Sequence, residues 1–165
     1  MKKLLRFSGF ISLVCAAVGL VLLLTTYASS FKGNGVDKGI DVIFGGRIGG
    51  MSNMGFFTFV LALAATFLLV LYAALRAMNK EKNRAFLSLV IAFVLAIAGV
   101  SIFFALPKYY ERNNWGSFYG DGFRLAPGWI VAAVLFFVAA AICFLNVVVK
   151  QEEPKQPELK EEKGA

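Results

Sequence analysis

Four long apolar runs contain no acidic, basic or histidine side chain; they are residues 7–27, 54–75, 85–106 and 128–149. Each run has about the 20 residues that a helix needs to cross ~30 Å of hydrocarbon. Hydrophobic residues make up 59% of the chain, a larger share than soluble domains carry. The sequence therefore predicts an all-α membrane protein, built as an antiparallel four-transmembrane-helix bundle with two extracytoplasmic loops.

The rest of the chain is too short to form a second folded domain. We expect one four-span membrane domain in residues 1–149, with the four runs as its spans. Residues 150–165 are rich in Glu, Lys, Gln and Pro. Because such a segment cannot bury enough apolar surface to fold, we predict a disordered cytoplasmic tail.

Three local patterns shape the connections between the spans. The polar turn at residues 79–84 is short enough to place the second and third spans side by side. Pro107 is expected to end the third span, because proline inside a helix removes a backbone N–H donor. Residues 40–44, which two glycines follow, are interpreted as a short strand in the first long loop.

Basic residues indicate how the chain is threaded. In the two long loops they are spread out and diluted by acidic residues, whereas elsewhere they crowd short flanks of the spans. Because cytoplasmic flanks carry an excess of Lys and Arg, both termini are predicted to be cytoplasmic, in a multi-pass protein of the cell (cytoplasmic) membrane. The crowded residues are Lys2, Lys3, Arg6, Arg76, Lys80, Lys82, Arg84 and Lys150.

The N-terminus allows a second interpretation. Two lysines before an apolar run resemble a signal peptide, and Thr26-Tyr27-Ala28 is a tolerable cleavage site. Cleavage after Ala28 would leave three spans. The apolar stretch is longer than a usual signal core, so an uncleaved first span is the preferred interpretation.

Polar and small residues within the spans predict helix packing. Asn146 lies about 4–5 Å from the inner edge of the fourth span, and Ser8 and Ser12 lie at similar depths in the first. Because amides in lipid form hydrogen bonds between helices, we expect the first and fourth spans to be neighbours, with Asn146 facing these serines. The alternative role for Asn146 is contact with a solute.

The residues that enzymes use are scarce in this chain. It has no histidine, so His-based metal sites and the usual general base are absent. Cys15 and Cys143 are single, sit in apolar surroundings and lack the Cys-x-x-Cys spacing of redox pairs. We therefore predict a protein that is not an enzyme and that needs no cofactor or metal.

The long loops are the predicted interaction surface. Aromatic and Arg side chains, which are common in recognition surfaces, cluster there among glycines. The alternative is that these aromatic rings settle at the membrane interface and cover the bundle. The residues of the predicted surface are Arg47, Tyr109, Tyr110, Arg112, Trp115, Phe118 and Tyr119.

These observations favour association over catalysis. The expected function is that of a small scaffold or accessory subunit, with membrane lipid and another membrane or envelope protein, or a second copy, as partners. The alternative is a transporter or channel component for a small or apolar solute. The net charge of +7 is explained by the basic residues that flank the spans. The sequence has no basic face interleaved with aromatic residues, so nucleic-acid binding is not expected. The small size and the absence of loop cysteines favour a bacterial source.

Overall fold

The computed structural model describes residues 2–46, 50–77, 84–113, 115 and 122–151. Four of its helices are long and apolar enough to cross a membrane, as the four runs predicted. The predicted disordered tail lies outside the described residues from position 152 onwards. The described elements are, in order, α1 (Lys2–Thr25), β1 (Ser29–Phe31), β2 (Asn34–Gly35), α2 (Gly39–Phe44), α3 (Asn53–Ala77), α4 (Arg84–Arg112), β3 (Phe123–Leu125) and α5 (Pro127–Gln151).

The four long helices pack in a ring. Helix α5 packs on α1 and α4, while α3 packs closely on α4 and less extensively on α1. Leu69, Leu95 and Phe136 are fully buried in the core, whereas the outward faces are also apolar, with Phe67 and Phe86 more than two-thirds exposed. Since so large an apolar exterior is unfavourable in water, the four helices suggest a multi-pass membrane protein.

Small side chains lie where the helices approach each other. Ser12, Ala16, Thr58 and Ala62 are almost completely buried, together with Ser88 of α4. Their hydroxyls bond across or along helices, as Thr58 Oγ1 does with Ser101 Oγ at 2.7 Å. Small residues thus allow close backbone approach while every one of these hydroxyls keeps a partner.

The ring has two distinct ends. At the cap end, the last turn of α1 meets the first turn of α5, and the last turns of α4 meet the first turn of α3. The short strands and α2 cover this end, and we call residues 26–52 and 109–126, as far as they are described, the cap. We call the opposite end of the ring the turn end. There, side chains near the start of α1 and α4 bond to the last turns of α5.

Pro107 does not end its helix, contrary to the sequence prediction. Helix α4 continues through Pro107 to Arg112. Proline costs the helix one backbone hydrogen bond, but the turn that follows carries Tyr109 and Tyr110, whose side chains are 2% and 3% exposed. The burial of these two rings against the cap offsets the lost bond and keeps the last turns helical.

Two further parts of the cap differ from the sequence predictions. Residues 40–44 form the helix α2 rather than a strand, because Val42 and Ile43 then lie together on one fully buried face. The described chain is also not purely helical, since β1, β2 and β3 form a small sheet. The pairing of β1 with β3 joins the two long loops, and α2 is positioned by its packing on α3 and α1.

Candidate partner-binding surface on the cap

A three-stranded sheet joins the two long loops. Its order is β2-β1-β3, and both pairings are antiparallel, with Ser30 opposite Gly35 on one side and Arg124 on the other. The turn between β1 and β2 consists of Lys32 and Gly33, whose φ angles are 49° and 85°. Positive φ at both positions is the geometry of the tight turns that suit hairpins. The hairpin therefore projects from the end of α1 and receives β3 from the second loop.

Trp129 closes the junction between α1 and α5. Its indole is fully buried, and Nε1 donates to the carbonyl of Leu23 at 3.0 Å. Because α1 ends at Thr25, that carbonyl belongs to the last turn, which has no intrahelical donor. Gly39 lies against the same carbonyl and against the indole nitrogen, where any Cβ atom would collide with the backbone. The cap is thereby tied to two helices at once.

Asp37 is the polar centre of the cap. Its Oδ2 atom accepts from Ser29 Oγ at 2.5 Å and from Tyr110 OH at 2.7 Å. Asp37 therefore links the hairpin to the end of α4. Around it, the ring of Tyr110 contacts those of Trp115 and Phe123, at centroid distances of 5.8 and 4.9 Å. This aromatic cluster fills the space between the sheet and α4.

Ser52 connects three helices at the start of α3. Its backbone N–H donates to Val42 O of α2 at 2.9 Å, and its hydroxyl donates to Ala105 O of α4 at 2.9 Å. The same hydroxyl accepts from the N–H of Gly55 at 3.1 Å, which is the geometry of a helix N-cap. One buried serine thus fixes α2 and α4 relative to the first turn of α3.

The predicted partner surface is only partly exposed. Tyr109 and Tyr110 belong to the buried aromatic cluster, Trp115 is half-buried, and Arg112 is exposed but bonded to Asn53 Oδ1 at 2.5 Å. The remaining members, Arg47, Phe118 and Tyr119, lie outside the described residues. The structure thus assigns the two tyrosines to the interior of the cap rather than to its surface.

Other apolar side chains are exposed on the cap. Val36, which follows β2, is 48% exposed, and Ile40 of α2 is 49% exposed. Ile40 is thus exposed on the same short helix that buries Val42 and Ile43. Phe44 of α2 contacts the ring of Phe59 on α3 at 5.1 Å, so α2 also extends the apolar exterior of the bundle onto the cap.

At the turn end, the structure brings Ser8 and Asn146 together. Ser8 Oγ donates to Asn146 Oδ1 at 2.7 Å, which links α1 to α5. Ser12 does not reach Asn146, and its hydroxyl donates to Ala139 O of α5 at 3.4 Å. The Nδ2 atom of Asn146 is buried without a hydrogen-bond partner among the described residues.

The cysteines and the potential metal ligands are the remaining candidates for chemistry among the described residues. Cys15 and Cys143 are free thiols, and Cys143 is buried. Within the ranges the structure describes, no three His, Cys, Asp or Glu side chains converge as metal ligands would. No family model matches the chain, and no curated protein or solved structure matches it.

Three residues that organise the cap were not singled out by the sequence analysis. Ser52 carried a readable signal, because a serine just before an apolar run is a typical N-cap. Asp37 and Trp129 carried no comparable local signal. Their roles depend on partners 73 and 106 positions away along the chain, which no local pattern reveals.

Proposed function

We propose that this protein is a non-enzymatic scaffold or accessory subunit of the cell membrane that binds another membrane or envelope protein, or a second copy of itself. The four long helices would cross the membrane in antiparallel order. The cap would lie outside the cytoplasm, with both termini inside. The binding surface would be the exposed part of the cap, including Val36 and Ile40.

The observation that carries this proposal is the ordered cap with exposed apolar side chains. A short connection would suffice to join two helices, yet two long loops here build a sheet, a helix and an aromatic cluster. Trp129 and Asp37 tie this unit to the bundle, while Val36 and Ile40 are half exposed. A rigid support that presents apolar side chains is typical of a docking surface.

Transport of a small solute has less support. The interior positions of the ring are occupied by large side chains that are fully buried, among them Leu69, Leu95, Ile102 and Phe136. The four spans also carry no acidic, basic or histidine residue, whereas transport pathways usually place such groups within the membrane. The buried Nδ2 atom of Asn146 is the one observation that favours a solute contact.

Orientation can be tested by labelling single cysteines in intact cells. In a variant with Cys15 and Cys143 replaced by Ala, Asn34→Cys would place a thiol on the exposed hairpin, and Gly164→Cys would place one in the tail. A membrane-impermeant reagent should label the first and spare the second. The reverse result would overturn the proposed orientation, and equal labelling would mean an odd number of spans.

Partner binding can be tested by photo-crosslinking in cells. A photoreactive residue at Ile40 should give one discrete adduct, whose mass distinguishes a second copy from a different protein. The same residue at Phe67, in mid-span and 71% exposed, serves as the control and should give mostly lipid adducts. Val36→Asp should remove the Ile40 adduct without lowering abundance. A protein adduct at Phe67 and none at Ile40 would move the interface to the helices and refute the cap surface.

A further inference from the structure

A groove opens between α3 and α4 at the cap end of the bundle. It has a volume of about 740 Å³ and is lined by Asn53 and Met54 of α3 and by Lys108, Glu111 and Arg112 of α4. Three of the five lining residues are charged, although residues 54–75 of α3 and 85–106 of α4 carry no charged side chain. The groove therefore combines polar groups with a position at the edge of the apolar surface.

Each cation of the groove contacts a neighbouring polar side chain. Arg112 Nη1 donates to Asn53 Oδ1 at 2.5 Å, which holds the guanidinium across the seam between the two helices. Lys108 lies one turn earlier on the same face of α4, and its ammonium contacts Glu111 Oε2 at 2.6 Å. Since arginine has five N–H donors in a planar fork, the bond to Asn53 leaves donors that could bind phosphate oxygens in pairs.

Apolar stripes continue from this charged end along both helices. On α4, Phe104 precedes Lys108 by one turn and Val100 precedes Phe104 by another, and the two are 54% and 48% exposed. On α3, Phe57 follows Asn53 by one turn and is 45% exposed. A molecule that fits this surface has a charged head about one turn of helix wide and long apolar chains that run along the seam.

We propose that the groove binds a phospholipid with an ethanolamine headgroup. Its phosphate would contact Arg112 and Lys108, its ammonium would contact Glu111, and its acyl chains would lie along Phe57 and Phe104. Glu111 selects the headgroup, because its carboxylate attracts the ammonium of ethanolamine. It disfavours a lipid whose phosphate charge no ammonium balances. The proposal goes beyond the partner-protein function and rests only on the membrane placement of the bundle.

The test measures lipids retained by the full chain after purification in a mild detergent. Native mass spectrometry would follow added phosphatidylethanolamine, phosphatidylglycerol and phosphatidylcholine with identical acyl chains. The unaltered chain should retain phosphatidylethanolamine best, because only its ammonium can donate N–H bonds to Glu111. Arg112→Gln and Lys108→Gln should each lower retention about fivefold, the scale of an exposed charge contact. Lys108→Gln removes an exposed side chain and so leaves the fold intact.

Arg124→Gln is the matched control, since Arg124 is an exposed cap arginine outside the groove. It should not change retention. Glu111→Gln should bring phosphatidylglycerol level with phosphatidylethanolamine. Equal losses in Arg124→Gln and Arg112→Gln, or retention independent of headgroup, would overturn the proposal. Loss of a second protein copy, instead of lipid, from Arg112→Gln would make the groove a protein interface and would also overturn it.

A chain that is not embedded in the membrane would give a different result from a groove that does not bind the lipid. Alkaline extraction of the same cells separates embedded chains from peripheral ones. If the unaltered chain is released, the membrane placement is wrong and the lipid proposal falls with it. If the chain stays in the membrane while all variants keep their lipids, only the groove proposal is refuted.

Discussion

The two ends of the bundle are held together by different kinds of contact. At the cap end, large aromatic side chains bridge separate elements and also supply hydrogen bonds, as Trp129 does to Leu23 O and Tyr110 does to Asp37. At the turn end, the described hydrogen bonds between helices come from small groups, such as Ser8 on Asn146 and Ser88 on Cys143 O. The described hydrogen bonds between helices thus include aromatic donors, alongside Ser52, at the cap end, and small polar groups at the turn end.

This difference predicts where the stability of the fold is concentrated. A buried aromatic bridge combines a large apolar area with a hydrogen bond, so its removal costs both. A hydroxyl or amide at the turn end contributes one bond between helices that their apolar faces already align. A substitution of an aromatic bridge at the cap end should therefore lower the unfolding free energy strongly and disturb the whole cap. A substitution at the turn end should have a small and local effect.

Trp129→Ala should give the largest loss. It would leave a cavity beneath Gly39 and would deprive Leu23 O of its donor, so we expect a cost of about 3–5 kcal/mol in unfolding free energy. Thermal unfolding in detergent, followed by circular dichroism, would measure the loss. Trp129→Phe keeps most of the ring and removes the N–H, and it should cost about 1–3 kcal/mol.

Phe144→Ala provides the control for this prediction. Phe144 lies on the same helix near the turn end and is 52% exposed, so lipid or detergent can fill the space that its ring leaves. Its replacement should change stability little. A cost for Phe144→Ala equal to that of Trp129→Ala would show that the two ends do not differ.

Tyr110→Phe should give an intermediate effect. It removes one of the two hydroxyls that bind Asp37 Oδ2 while the ring stays in the aromatic cluster, and the expected cost is about 1–2 kcal/mol. Because Asp37 ties the hairpin to α4, hydrogen exchange should speed up in residues 28–38 and remain unchanged in the spans. Tyr27→Phe is the control, since the exposed ring of Tyr27 covers Gly35. Equal changes in exchange in both variants would show that Asp37 does not link the hairpin to α4.

The contrast between the ends also explains what could be predicted from the sequence. The four helices were predictable because each apolar run carries its own signal, namely length and lack of charge. The cap was not, because the pairing of β1 with β3 and the burial of Tyr110 depend on two distant loops. For the same reason Pro107 was misinterpreted: its local effect is clear, but the contacts of Tyr109 and Tyr110 that outweigh it are not local.

The same difference between local signals and distant contacts applies to the candidate site. The aromatic and Arg composition of the loops indicated an interaction surface, yet burial decides which side chains a partner could touch. Tyr109 and Tyr110 face inwards, and Val36 and Ile40, which composition did not single out, are exposed. Asn146, by contrast, could be placed opposite the first span from depth alone, because helical rise converts position in sequence into depth in the membrane.

Asn146→Leu should lower stability less than Trp129→Ala or Tyr110→Phe. It removes the contact with Ser8 Oγ, and interhelical bonds of this kind are worth about 0.6 kcal/mol on average. The same change removes the buried Nδ2 atom that has no partner among the described residues, which favours the variant and offsets part of the loss. The net change in unfolding free energy should therefore lie below that of Tyr110→Phe.

A double-mutant cycle separates these two contributions. Ser8→Ala and Asn146→Leu should be coupled, because each removes one side of the same bond. Ser12→Ala is the matched control: its hydroxyl bonds to Ala139 O, about two helical turns from Asn146, so its effect should add to that of Asn146→Leu without coupling. Coupling with Ser12 and none with Ser8 would contradict the described contact. A coupling as large as the Trp129→Ala loss would mean that small polar contacts hold the turn end as firmly as the aromatic bridges hold the cap.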